Sequence, residues 1–212
     1  MRRLPVYLLL DTSGSMSGEP IEALKNGVQV LVSTLRQDPY ALETACISVI
    51  TFESNAQQLI PLTDLSSFQM KEISAGGGTS LGAGLQLVAE CIDREVSKST
   101  SEVKGDWKPL VFIMTDGQPT DSWQGGLAEF KKRKIGMTVA CAAGSGADTN
   151  VLKQITEVVV ALDTADSATI KAFFKWVSAS ISTGSQKIES GKKEVGGLNE
   201  IPPPPPEVNI VV

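Results

Sequence analysis

The sequence predicts a doubly wound α/β domain: a six-stranded, mostly parallel sheet with one antiparallel edge strand and helices on both faces. Three observations carry this. Short, nearly unbroken apolar runs recur along the chain, as expected of strands buried on both faces. Between them lie segments whose apolar residues repeat at helical spacing. The two kinds alternate regularly, as they must where helices carry the chain between parallel strands.

The first run, Leu4 to Leu10, is apolar throughout and ends in Asp11. Two arginines precede it, which superficially mimics a signal peptide. The run is too short for that and lacks a small-residue cleavage motif behind it, so it reads as a first strand. Ser17, Gly18, Glu19 and Pro20 give a helix start, with proline near the first turn. Ile21, Leu24, Val28, Leu31, Val32 and Leu35 then line one apolar face.

Ala45 to Phe52 reads as the second strand and Gln57 to Leu62 as the third. The connection between them is too short for a crossover, so this pair is antiparallel. Asp64 to Gly78 is a loop ending in three glycines. Leu81, Leu85, Val88, Ile92 and Val96 mark the second helix. Leu110 to Met114 is the fourth strand, Ser122 to Lys132 a short helix and Ile135 to Ala143 the fifth strand. Asp148 to Thr156 is a further helix, Glu157 to Leu162 the sixth strand, and Ile170 to Ile181 the last helix. The domain spans residues 1–184. Residues 185–212 are polar, then proline-rich with Pro202 to Pro206 in sequence, and read as a flexible tail in which the prolines form a stiff spacer.

Composition excludes several function classes. The chain carries a formal net charge of −5 with its charges scattered, which argues against a nucleic-acid or anionic-membrane partner. No apolar span reaches the length of a membrane crossing. There is no histidine, so Ser-His-Asp and Cys-His catalysis are ruled out. The three cysteines, Cys46, Cys91 and Cys141, lie in apolar stretches without a CxxC spacing. They read as buried reduced thiols, which suits the cytoplasm.

In open parallel sheets, ligands bind beyond the carboxyl ends of the strands, near the point where strand order reverses. The first strand is followed there by Asp11-Thr12-Ser13-Gly14-Ser15 and the fourth by Thr115-Asp116-Gly117. The second helix begins after Gly76-Gly77-Gly78-Thr79-Ser80. Together these offer two carboxylates and several hydroxyls, with neither imidazole nor thiolate. Hard oxygen donors of this kind suit Mg²⁺, Mn²⁺ or Ca²⁺. Either acidic loop by itself could equally be a helix cap or turn; the convergence of all three points to a metal.

These segments resemble the metal-ion-dependent adhesion site of von Willebrand factor A domains. That family has DxSxS after its first strand, a threonine in a glycine-rich loop and an aspartate in a (T/S)DG turn. Asp11, Ser13, Ser15, Thr79 and Asp116 match those positions. The resemblance implies the family's Rossmann-like fold over residues 1–184. It implies Ser13, Ser15 and Thr79 as direct ligands of a Mg²⁺-type ion, with Asp11 and Asp116 balancing charge behind them. It also implies an open coordination position that takes a Glu or Asp of a partner protein, so the chain is expected to be a binding module and not an enzyme. The runs Met1 to Asp11, Gly105 to Pro109 and Asp163 to Ser167 further resemble the small bacterial A-domain proteins of tellurite-resistance operons. This implies a cytoplasmic role in stress response beside a protein kinase and a PP2C-type phosphatase.

Competing readings fall short on residues. An aspartyl phosphotransferase needs a second acid two positions after Asp11, where Ser13 stands. The Gly76 to Ser80 loop lacks the lysine of a nucleotide-binding P-loop. A metal-dependent hydrolase, such as a phosphatase, is the alternative kept for the same acidic loops; Asp or Glu would have to serve as its base. Gln118, Pro119, Trp123 and Glu53 are expected at the same end of the sheet, while Trp107 and Trp176 read as structural.

Overall fold

A computed structural model of the chain describes residues 2–189 and 201–211. Its strands are β1 (Leu4–Asp11), β2 (Ala45–Phe52), β3 (Ala56–Asp64), β4 (Leu110–Thr115), β5 (Met137–Ala143), β6 (Val159–Leu162) and β7 (Asn209–Ile210). Its helices are α1 (Glu19–Leu35), α2 (Pro39–Thr44), α3 (Leu81–Glu95), α4 (Trp123–Lys131), α5 (Thr149–Ile155) and α6 (Ser167–Glu189). The strands form one sheet in the order β3-β2-β1-β4-β5-β6-β7. β2, β1, β4, β5 and β6 run parallel, and β3 pairs antiparallel with β2. The doubly wound architecture with an antiparallel edge is therefore as the sequence predicts.

Alternation along β1 explains the two-sided burial. Val6, Leu8 and Leu10 enter one core with Leu24, Val28 and Leu31 of α1 and Phe173 and Val177 of α6. Tyr7 and Leu9 enter the other, against Leu85 and Val88 of α3, Phe130 of α4 and Leu152 of α5. Since successive side chains of a strand point to opposite faces, a sheet covered on both sides needs an apolar residue at every position. α3 and α4 approach until backbones touch. A Cβ on Gly126 would stand 2.0 Å from the Gly82 carbonyl oxygen, so only glycine fits there.

The structure corrects three expectations. A short helix, α2, lies between α1 and β2. Asp38 caps it by accepting from the Tyr40 and Ala41 amides, and Pro39 opens it. Second, α6 continues past Gly184 to Glu189. Third, the sheet has seven strands, not six, because the segment after residue 200 folds back onto the domain instead of forming a flexible tail. Ile201 and Val208 are buried in the α1–α6 core. The Trp176 indole N–H donates to the Pro202 carbonyl at 2.8 Å. β7 pairs antiparallel with β6, and the Val211 amide donates to the Val159 carbonyl at 2.9 Å. The physical reason is supply and demand: β6 would otherwise present an open edge and Trp176 a buried, unbonded N–H. Residues 190–200 of the expected tail lie outside the described residues. All three cysteines are free and buried. Among the described residues, no helix is long and apolar enough to cross a membrane.

Candidate metal centre

β1 and β4 are neighbours, and the crossovers from them go to opposite faces, so their carboxyl ends form the switch point of the sheet. Asp11 is the last residue of β1 and fully buried. Its carboxylate accepts from the Ser13 amide at 2.8 Å and from the Thr115 hydroxyl, at the end of β4, at 2.5 Å. Beyond Asp11 the chain makes one 3₁₀ turn, Gly14–Met16, whose Met16 is driven fully into the core. That anchor turns Ser13 and Ser15 toward each other, with hydroxyls 3.0 Å apart. The Ser15 hydroxyl then donates to Asp116 Oδ1 at 2.7 Å. Asp11, Ser13, Ser15 and Asp116 thus form one hydrogen-bonded chain across two loops.

Thr79 comes in from the glycine-rich loop. The loop is seated by backbone bonds: the Gly14 amide donates to the Gly77 carbonyl at 3.1 Å and the Gly76 amide to the Thr12 carbonyl at 2.9 Å. Gly77 takes a φ of +71°, a conformation that only glycine adopts without strain. The Thr79 amide donates to the Thr120 hydroxyl at 2.9 Å, and the Thr120 amide returns a bond to the Thr79 carbonyl at 2.9 Å. Its own hydroxyl is left facing the Gly117 turn, 3.6 Å from where a Cβ there would stand; Ser15 Oγ lies 3.9 Å from the same point. The five residues singled out from sequence therefore meet around one spot.

The sequence pattern does not single out Thr115, Thr120 or Asp121. Asp121 caps α3 from outside, accepting from the Gly82 and Ala83 amides at 3.2 and 3.0 Å. Thr115 belongs to the same Thr-Asp-Gly turn that marked Asp116, which was its only signal. Gln118 is exposed at this end, and Pro119 and Trp123 are half-buried, with Trp123 packed against the α3–α4 core. Trp107 and Trp176 pack structurally, the first under the Arg2 guanidinium and the second against Pro202.

Burial pushes the Asp11 carboxyl above the ordinary carboxylate range, against the hydrogen bonds from Ser13 and Thr115, and the neighbouring Asp116 charge adds to the rise. Asp116 is raised as well, again by burial, with Ser15 opposing. Among the described residues, no basic side chain bonds to either carboxyl, so a bound cation would favour their charged forms against the burial that opposes them. No three His, Cys, Asp or Glu side chains cluster as metal ligands among the described residues. A cation here would rest on two carboxylates and three hydroxyls, a donor set that fits hard divalent ions and not thiophilic ones.

A family model for the von Willebrand factor type A domain matches residues 6–181. This chain belongs to that family. Among curated proteins, the A domain is 32% identical over 124 residues to an uncharacterized protein of Synechocystis, covering 55% of this chain and 26% of that one. It is 30% identical over 131 residues to the E3 ubiquitin-protein ligase WAVH1 of Arabidopsis thaliana, covering 55% of this chain and 18% of the ligase. The chain thus spans about a quarter or less of the length of these relatives. Among solved structures it resembles proximal thread matrix protein 1 of the mussel byssus, with a TM-score of 0.65 and 21% identity over 84% of this chain and 48% of that one. Another structure of that mussel protein has a zinc-occupied adhesion-site motif and superposes with a TM-score of 0.59 and 21% identity, over 84% of this chain and 46% of that one. At that identity the likeness establishes the fold.

Proposed function

We propose that this A domain binds a partner protein through a divalent cation, Mg²⁺ in the first instance, and performs no chemistry on it. Ser13, Ser15 and Thr79 would hold the ion directly, with Asp11 and Asp116 balancing its charge from behind. A cation carried mainly by neutral hydroxyls keeps its electrophilicity and accepts one further carboxylate, which a Glu or Asp of the partner supplies. The observation that carries this reading is the chain of bonds from Thr115 through Asp11, Ser13 and Ser15 to Asp116, which joins two carboxyls that burial has raised. The mussel protein's zinc-occupied motif supports a divalent ion at this place in the fold. Mn²⁺ and Ca²⁺ offer the same hard chemistry.

The finer reading places the chain with the TerY proteins of tellurite-resistance operons, as a cytoplasmic, bacterial scaffold for a protein kinase and a PP2C-type phosphatase in stress response. It rests on the runs Met1 to Asp11, Gly105 to Pro109 and Asp163 to Ser167. The buried cysteines lend no support to direct tellurium chemistry.

Calorimetric titration of Mg²⁺, with and without added acetate as a surrogate carboxylate, tests the site. Binding in the wild type that vanishes in Asp11→Ala/Ser13→Ala supports it. Turnover of a phosphate ester with Mg²⁺ or Mn²⁺ that is lost in Asp11→Ala would establish the hydrolase instead.

A further inference from the structure

The opposite end of the sheet holds a second built surface. A cleft of about 750 Å³ opens there between the last turns of α3 and α4 and the segment leading into β4. The six residues of β4 separate it from the metal centre, roughly 20 Å along the strand. Its floor is apolar: Ile92 and Val96 from α3, with Trp107 and Pro109 from the segment before β4. The Arg2 guanidinium lies 3.7 Å above the Trp107 ring and fixes it in place. The wall formed by residues 97–106 is also fixed. The Asp106 amide donates to the Ser97 carbonyl at 2.9 Å, and the Gly105 amide to the Ser99 hydroxyl at 2.9 Å.

The rim is where charge decides the occupant. Lys98, Lys108, Lys132, Arg133 and Lys134 line the cleft, against Asp93, Asp106 and Glu129. All three carboxylates are committed. Asp106 pairs with Arg3 at 2.6 Å, Asp93 with Arg133 at 2.6 Å, and Glu129 with Lys132 and Arg133 at 2.6 and 3.0 Å. Lys98 and Lys134 are exposed and have no ion pair among the described residues. A chain with a net charge of −5 thus gathers surplus positive charge around one apolar floor. The run Lys131-Lys132-Arg133-Lys134 feeds this rim, so the charges are not evenly scattered as expected from composition.

We propose that this cleft is a second docking surface, one that takes an acidic protein segment with an aliphatic or aromatic anchor. The anchor fills the floor beside Trp107, and flanking carboxylates face Lys98 and Lys134. Because floor and wall are preformed, little ordering opposes binding. The apolar floor favours a segment with an apolar anchor over a phosphodiester backbone, which has none to place there. The surface is independent of the cation site, so the domain has two ends that can engage two partners.

The test uses the full chain and a synthetic dodecapeptide of Glu and Asp with two central leucines. Binding is followed by the three tryptophan indole N–H signals, that of Trp107 being assigned with Trp107→Phe. The expected result is saturable binding that moves the Trp107 signal and not those of Trp123 or Trp176. It persists in EDTA and in Asp11→Ala, and weakens at least tenfold in Lys98→Glu/Lys134→Glu at unchanged melting temperature. That double variant should instead prefer the same peptide with its acids replaced by lysine. Absence of saturation, equal binding by the double variant, loss in EDTA or Asp11→Ala, or tighter binding of an oligonucleotide of equal charge would each overturn the proposal.

Discussion

Thr115 contributes no ligand to the proposed cation, yet its hydroxyl makes the shortest bond to Asp11. Partners of metal-bound groups typically carry a ten- to hundredfold share of affinity, and Thr115, which orients Asp11 behind the ligands, belongs at the lower end, about tenfold. Thr115→Val keeps the shape of the side chain and removes the donor. It should therefore weaken Mg²⁺ binding by about that factor in calorimetry, while far-UV circular dichroism stays unchanged. The pH dependence follows from the same neighbourhood. Burial raises both Asp11 and Asp116. In the metal-free protein, their contribution to stability is fully present below the unfolded carboxyl pKa, roughly 3.9, and is lost as pH rises through the raised folded values. A bound cation favours the charged forms and reverses this loss. The rise in melting temperature given by Mg²⁺ should therefore grow with pH from about 4 upward. A shift that is flat or shrinks over that range would contradict the assignment.

At the scale of elements, two contacts hold the supports of the site. α3 and α4 meet at Gly82 and Gly126, where a Cβ on Gly126 would collide with backbone. Gly126→Ala should cost about 1–3 kcal/mol or more in urea unfolding, since backbone cannot swing aside as a side chain can. The shift should also disturb Thr79, because Asp121 and Thr120 tie the two helices to its loop. The segment after residue 200 is the second contact. Ile201→Ala removes a side chain that is 7% exposed and should cost about 2 kcal/mol. If the segment were detached in solution, that variant would unfold at the wild-type urea concentration. This region also marks the limit of what the sequence reveals. Central strands announce themselves because burial on both faces demands unbroken apolar runs. Ile201 and Val208 flank five prolines, and β7 is two residues long, too short to show a period. Its docking depends on the open edge of β6 and on the indole of Trp176, partners far away in sequence. α2 was hidden for a similar reason, its six residues being too few to show a helical face.

Across the whole molecule, the strand order brings the loop after β1 against the loop after β4, and that adjacency makes a site from residues more than a hundred positions apart. This much was legible, because the ligand end of a parallel sheet is known once its strands are. The supporting layer of Thr115, Thr120 and Asp121 was not, since hydroxyls and a cap in loops carry no periodic signal. The basic cleft at the far end was also out of view, because it assembles from three separate segments. Structure determination of crystals soaked in Mn²⁺ with acetate, recorded at the manganese absorption edge, bears most directly on the central claim. The account predicts one anomalous peak bound by the hydroxyls of Ser13, Ser15 and Thr79, with Asp11 and Asp116 behind it, and no such peak in Asp11→Ala/Ser13→Ala. A saturating soak that leaves this position empty, or a peak bound elsewhere and indifferent to the double substitution, would contradict it.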